Sequence, residues 1–262
     1  MTVAPSTLEE ALQSFESDVE AAVRSLGAAL NQAKRAKAAA AAGQIRELQQ
    51  AMDNAERLAD QAAGAVAEVR CGWQFDVGEW LASGNYAKEL LATAAEAGVQ
   101  AFESDERILC YPAIVAISAG DASVVVDKKK DRRIRPSVLV RHLAALQQRP
   151  PKFKPEGFIA SLAAAYDLVV GAKGARPGAP VKLVDVHAVL TLLPGAARDY
   201  TRQEFARDLY LLDQSGVVDT KDARRMTLPA SAMTRGTGTL STVTKAGQAK
   251  MYAGIAFAER SA

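Results

Sequence analysis

The spacing of apolar residues over positions 1–70 constrains this chain more than any other feature. Ser6 and Glu9 stand at capping-box spacing just after Pro5, which marks a helix start. Apolar side chains then recur at Leu8, Leu12, Phe15, Val19, Val23, Leu26 and Leu30, in steps of three and four. After Gly43 the pattern resumes at Ile45, Leu48, Met52, Ala55, Ala59, Ala62, Val66 and Val69, alternating three and four as a heptad seam does. The intervening AKRAKAAAAAG is alanine-rich and strongly helix-forming. Either Gly43 ends one helix and the two fold back on each other, or a single helix continues through. The hairpin is expected, because each segment owns an apolar stripe that needs a surface to bury it. Much of the second stripe is alanine, which permits close packing but buries little area per residue. This arm is therefore expected to associate with a protein partner or with itself.

Charge is the second constraint. The formal net charge is only +2, but residues 71–126 carry 2 basic and 8 acidic groups, whereas residues 127–182 carry 13 and 4. Such polarisation points to a surface for an acidic partner. Only two cysteines occur, Cys71 and Cys110, with no CxxC motif. The start, MTVAPSTLEE, lacks the apolar core of a secretory peptide, and the longest apolar stretch, Ile108 to Ala119, is about half of the roughly 20 residues a membrane helix needs. A cytoplasmic protein with reduced thiols and no membrane association is the expectation.

From Cys71 the texture becomes mixed. CGWQFDVGEWL reads as a short strand or turn, with Trp73 and Trp80 as core anchors. Asn85 caps a helix that Gly98 ends. RILCYPAIVAIS and ASVVVDKK flank Ala119-Gly120-Asp121 as a hairpin, with Pro112 marking an edge strand or bulge. Helices are expected from Pro136 to about Gln148 and from Phe158 to Val170. GAKGARPGAP (171–180) reads as a linker.

Beyond it the order is helix, helix, β-hairpin with a basic glycine-containing tip, and a last helix after Gly247. With its segments DLYLLDQSGVV and STVTKAGQAKMY, this part is similar to winged-helix proteins over about 80 residues. The resemblance implies a recognition helix over RQEFARDLYLLDQS. That helix offsets Arg202 and Arg207 with Glu204, Asp208 and Asp213, and LPGAARDY before it is short for a full supporting helix. Both features weaken base reading. The expected class is thus α+β: a helical arm (1–70), a central α+β domain with a basic face (71–170), a linker (171–180) and a winged helix (181–262).

The sharpest chemical feature is VVVDKKKDRRIRPSVLVRHL, where six cations fall within residues 128–135. The candidate nucleic-acid contacts are Lys128, Lys129, Lys130, Arg132, Arg133, Arg135, Arg141, Arg149, Lys152 and Lys154, with Arg235 at the wing tip. Phosphate backbones reward such clusters through counterion release. Phe153, between Lys152 and Lys154, can stack on an exposed base. The rival reading is that the cations pair with the acidic segment before them. Asp127-Lys128-Lys129 also fits the D-x-K half of a metal-dependent nuclease pattern, with Asp105 and Glu89 as further carboxylates. His142 and His187 stand apart without ligand-spaced neighbours, and no phosphate loop or nucleophile motif occurs. No cofactor, metal or catalytic residue is expected. The sequence reads as a non-enzymatic accessory subunit of a larger, DNA-acting complex, with or without an ATPase motor, gripping DNA by its backbone. A dimeric winged-helix regulator is the alternative, and a metal-dependent nuclease the third reading.

Overall fold

The computed structural model of the chain describes residues 6–229 and 238–259. It is an α+β fold that divides into two compact units. No helix among the described residues is long and apolar enough to cross a membrane.

The first unit comprises residues 1–89, 119–122 and 134–137. Its body is the expected hairpin of α1 (Leu8–Ala42) and α2 (Ile45–Gly72). Thr7 caps α1, accepting from the backbone N–H of Glu10. Gly43 ends it at φ 70°, a left-handed conformation in which a Cβ would be strained. The two helices do not meet along the stripe of large apolar residues. The side chains buried beyond the base of the hairpin are Ala22, Ala36 and Ala39 on α1, with Ala51 and Ala62 on α2. Alanine lets helix axes approach to the short end of the roughly 8–10 Å packing range. The row Val19, Val23, Leu26 and Leu30 is left exposed.

At the base the sequence reading needs correction. WQFDVGEWL is not a strand: Asp76 caps a short helix, α3 (Val77–Ala82), by accepting from the N–H of Glu79. Phe15, Trp73, Phe75 and Trp80 form a chain of edge-on and tilted rings with centroids 5.0, 6.4 and 5.4 Å apart. Glu89, in α4 (Asn85–Glu96), is buried beneath them. Its carboxylate accepts the N–H groups of Leu8 (3.1 Å) and Glu9 (2.8 Å) and the indole N–H of Trp80 (2.7 Å). One side chain thereby satisfies two orphan donors at the start of α1.

The second unit comprises residues 90–118, 123–133 and 138–262. Five short strands, β1 (Phe102–Ser104), β2 (Arg107–Cys110), β3 (Ala113–Ser118), β4 (Ser123–Val126) and β5 (Lys129–Asp131), form an antiparallel meander in sequence order. The expected β3–β4 hairpin is there, but Tyr111-Pro112 lies between two strands rather than inside one. Two hairpins were not legible in the sequence. Asp105-Glu106 joins β1 to β2 and Asp127-Lys128 joins β4 to β5, each with both residues at positive φ, as a type I′ turn requires. Helix α5 (Pro136–Gln147) follows.

The segment 171–180 does not separate two cores. Helix α6 (Pro155–Lys173) contributes Ile159, Leu162, Tyr166 and Val169 to the same apolar cluster as Leu183, Val186, Phe205, Leu209, Ile255 and Phe257. The Tyr166 hydroxyl donates to the Ala179 carbonyl, 2.8 Å away, pinning the connection. Around this core lie β6 (Val181–Lys182), α7 (Leu183–Leu190), a turn of helix α8 (Ala196–Asp199), α9 (Arg202–Ser215) and β7 (Arg224–Thr227). The chain ends in strands, β8 (Leu240–Val243), β9 (Ala249–Tyr252) and β10 (Gly254–Glu259), not in the helix expected after Gly247. Gly247, at φ 78°, turns the β8–β9 hairpin, and the run from Tyr252 to Phe257 is buried at every position, as in a strand covered on both faces. The three-stranded sheet has the antiparallel order β6-β10-β7.

Hydrogen bonds to charged groups contribute roughly 1.5–3 kcal/mol each. Glu89→Ala, which strands three donors, is expected to destabilise the protein by about 3 kcal/mol in urea unfolding followed by tryptophan fluorescence. Glu89→Gln should lose less, because the amide oxygen still accepts. A Glu89→Ala protein as stable as the parent would contradict this role.

Candidate nucleic-acid interface

The basic run does not continue as an open strand. At Asp127-Lys128 it folds back, and the turn docks on α9 within the second unit. Asp127 Oδ1 accepts the Ile114 N–H (3.1 Å) and Arg207 Nη1 (2.8 Å). Lys128 Nζ lies 3.5 Å from Glu204 Oε1. Glu204 is buried and also closes the capping box of α9 by accepting from the backbone N–H and hydroxyl of Thr201. The other unforeseen turn makes the same kind of contact: Gln203 Nε2 donates to Asp105 Oδ2 at 3.0 Å. Burial works against the Arg207 cation, but Asp208 and Asp127 more than offset it and hold its pKa above the ordinary value. The polar side chains at 203, 204 and 207 are therefore engaged by the meander.

Two more of the six cations are also paired. Arg133 makes a two-pronged contact with Asp131, Nε to Oδ1 at 3.0 Å and Nη2 to Oδ2 at 2.6 Å, and these bonds bring the Asp131 pKa down to about 2. Arg135 belongs to the first unit, where its Nε meets Glu9 at 2.7 Å and its Nη1 meets Glu16 at 2.5 Å. Glu9 also accepts the N–H of Ser137 (2.9 Å), a free donor at the start of α5. Burial opposes ionisation of Glu9, but the bonds from Ser137 and Arg135 outweigh it and hold its pKa below the usual value.

Three cations of the candidate set are differently placed. Lys129, Arg149 and Lys152 line one cleft of about 480 Å³ in the second unit, floored by Pro112, Leu146, Phe153 and Leu211. Asp127, Arg207 and Asp208 stand at its inner edge, already bonded to one another. Phe153 is half-buried, its ring edge-on to Phe158 at 5.4 Å. Its position is thus fixed before any ligand arrives. Pro150 and Pro151 stiffen the wall that carries Arg149 and Lys152. Lys130, Arg132, Arg141 and Lys154 are exposed outside this cleft lining. Arg235 lies outside the described residues. The sequence had flagged the cations and Phe153, but not Pro112, Leu146 or Leu211, which reach the cleft from three other parts of the second unit.

The carboxylates of the nuclease pattern are each committed elsewhere: Glu89 to the start of α1, Asp105 to Gln203, and Asp127 to Arg207. Asp127 sits in the turn and Lys129 on β5, so the D-x-K residues do not share a strand. Among the described residues no three His, Cys, Asp or Glu side chains gather as metal ligands would. His187 is a core residue, its Nε2 2.8 Å from the Tyr200 carbonyl and its ring against Phe205. Cys110 is buried and its thiol pKa is pushed up to about 12. No protein-family model, curated protein or solved structure matches the chain.

The Arg135 contacts generate a pH prediction. A carboxyl whose folded pKa is depressed contributes stability above its unfolded value, near 4.5 for Glu9, and loses it as pH falls through the folded value. Arg135→Ala should cost about 1–2 kcal/mol at pH 7 by denaturant unfolding. The gap between variant and parent should narrow steadily below pH 4.5. A pH-independent gap would show that Arg135 acts through packing alone.

Proposed function

We propose that this chain is a non-catalytic, nucleic-acid-associated subunit of a larger DNA-acting assembly, in which the second unit holds a sugar–phosphate backbone and the arm makes the protein contacts. The observation that carries this reading is the convergence of Lys129, Arg149 and Lys152 on a cleft with a fixed aromatic ring. Three cations with no carboxylate bound to them among the described residues suit phosphates, and a half-buried phenyl suits a base face of any sequence.

The order of α6, β6, α7, α9, β7 and β10, with sheet order β6-β10-β7, supports the winged-helix reading of the C-terminal part and extends it back to residue 155. In that reading α9 is the recognition helix. The side chains it would present to base edges at 203, 204 and 207 are held by Asp105, Lys128 and Asp127. This favours backbone binding over sequence readout, and an accessory subunit over a regulator.

The test is the salt dependence of DNA binding by fluorescence anisotropy. Each phosphate contact contributes a slope of about −0.9 in log K against log salt for duplex DNA and about −0.7 for single strands. The triple variant Lys129→Glu/Arg149→Glu/Lys152→Glu should remove roughly two to three units of slope and weaken all sequences alike. Arg133→Ala should leave the slope unchanged, because its charge is already met by Asp131. An unchanged slope in the triple variant would refute the cleft as the binding site.

A further inference from the structure

The exposed row on α1 has a symmetry of its own. Val19, Val23, Leu26 and Leu30 are 38%, 59%, 49% and 56% exposed, large apolar side chains in steps of four, three and four. Read backwards, the steps are the same. Antiparallel pairing of two such helices, with the two-fold axis between Arg24 and Ser25, places Val19 opposite Leu30 and Val23 opposite Leu26 of the second copy.

The charges of α1 follow the same axis. Residues 8–20 carry Glu9, Glu10, Glu16, Asp18 and Glu20 with no base, whereas residues 21–42 carry Arg24, Lys34, Arg35 and Lys37 with no acid. Lys34, Arg35 and Lys37 have no ion-pair partner among the described residues. Antiparallel pairing sets each acidic half against the other copy's basic half, while parallel pairing sets like against like. Charges flanking an apolar seam are what choose partner and orientation between helices. Alanine packing within the hairpin also leaves this row free, because α2 is held by Ala22, Ala36 and Ala39 on another face of α1.

We propose that the arm forms an antiparallel homodimer through the Val19–Leu30 face of α1. The occupant is a second copy of this chain. A partner helix of another protein would need the same reversed charge order, which α1 itself supplies.

The experiment uses the full chain. Light scattering at about 50 µM is expected to give the mass of a dimer, and Val23→Glu/Leu26→Glu the mass of a monomer. Both substitutions fall on exposed positions, so helix content by circular dichroism should be unchanged. Orientation is read from spin labels on cysteines introduced at Ser17 or Gln13 in a Cys71→Ser background. With a rise of 1.5 Å per residue, the distance between like labels in an antiparallel pair grows by about 3 Å for each residue away from the axis. Labels at Ser17 are expected to be offset along the axis by about 23 Å and at Gln13 by about 35 Å, whereas a parallel pair would give no axial offset at either site. A monomeric parent, a dimer that survives the double variant, or equal short distances at both sites would each overturn the proposal. DNA binding by a monomeric double variant leaves the cleft reading untouched, so the two ideas fail separately.

Discussion

The bond between Asp127 and Arg207 is the constraint on which the second unit turns. It joins a two-residue corner of the β-meander to the middle of α9, and Asp127 also accepts the Ile114 N–H from the neighbouring hairpin. Because the turn has only two residues, fixing Asp127 also fixes where Lys128 and Lys129 go. Lys128 is directed to buried Glu204, and Lys129 leaves on β5 toward the cleft. A cationic run that reads as one feature in the sequence is thereby divided at a single corner. Some of its charges brace the fold, and Lys129 lines the cleft.

The first unit is organised by a different economy. Alanine packing brings α1 and α2 close but buries little apolar area, which by the usual ~25 cal/mol per Å² gives limited stabilisation per residue. The hairpin is anchored instead at its base, by the Phe15–Trp73–Phe75–Trp80 rings and by the buried Glu89 carboxylate. Arg135 and Ser137 add a second polar clasp on Glu9. Large side chains that an isolated hairpin would be expected to bury are left on its surface, and a helical arm built this way is suited to association.

Much of this architecture was readable from residue spacing. The hairpin with its stop at Gly43, the cap at Thr201, the helix opened by Pro136 and the α+β class all follow from periodicity and caps. The face of α1 that packs was not readable, because the heptad rule ranks Val and Leu above Ala, whereas backbone proximity in the hairpin favours Ala22 and Ala36. The turns at Asp105-Glu106 and Asp127-Lys128 were hidden because they use no glycine. Aspartate tolerates the left-handed region, but nothing local distinguishes these aspartates from any other charged residue. The terminal strands were mistaken for a helix because AKMYAGIAFAE has helix-forming composition, and only pairing of β9 with β8 and of β10 with β6 and β7 decides otherwise. Of the candidate site, the sequence supplied the cations and Phe153. The sorting into braced and available charges depends on partners as remote in the sequence as Glu9 and Glu204.

That sorting is the central claim, and lysine reactivity tests it most directly. The full chain can be treated briefly with an amine-acylating reagent, with and without a DNA oligonucleotide, and modification read by mass spectrometry at each lysine. Lys129 and Lys152 should lose reactivity when DNA is added, while Lys128, held by Glu204, should react equally in both samples. Protection of Lys128 without protection of Lys129 and Lys152, or protection confined to Lys34 and Lys37 of the arm, would contradict the account.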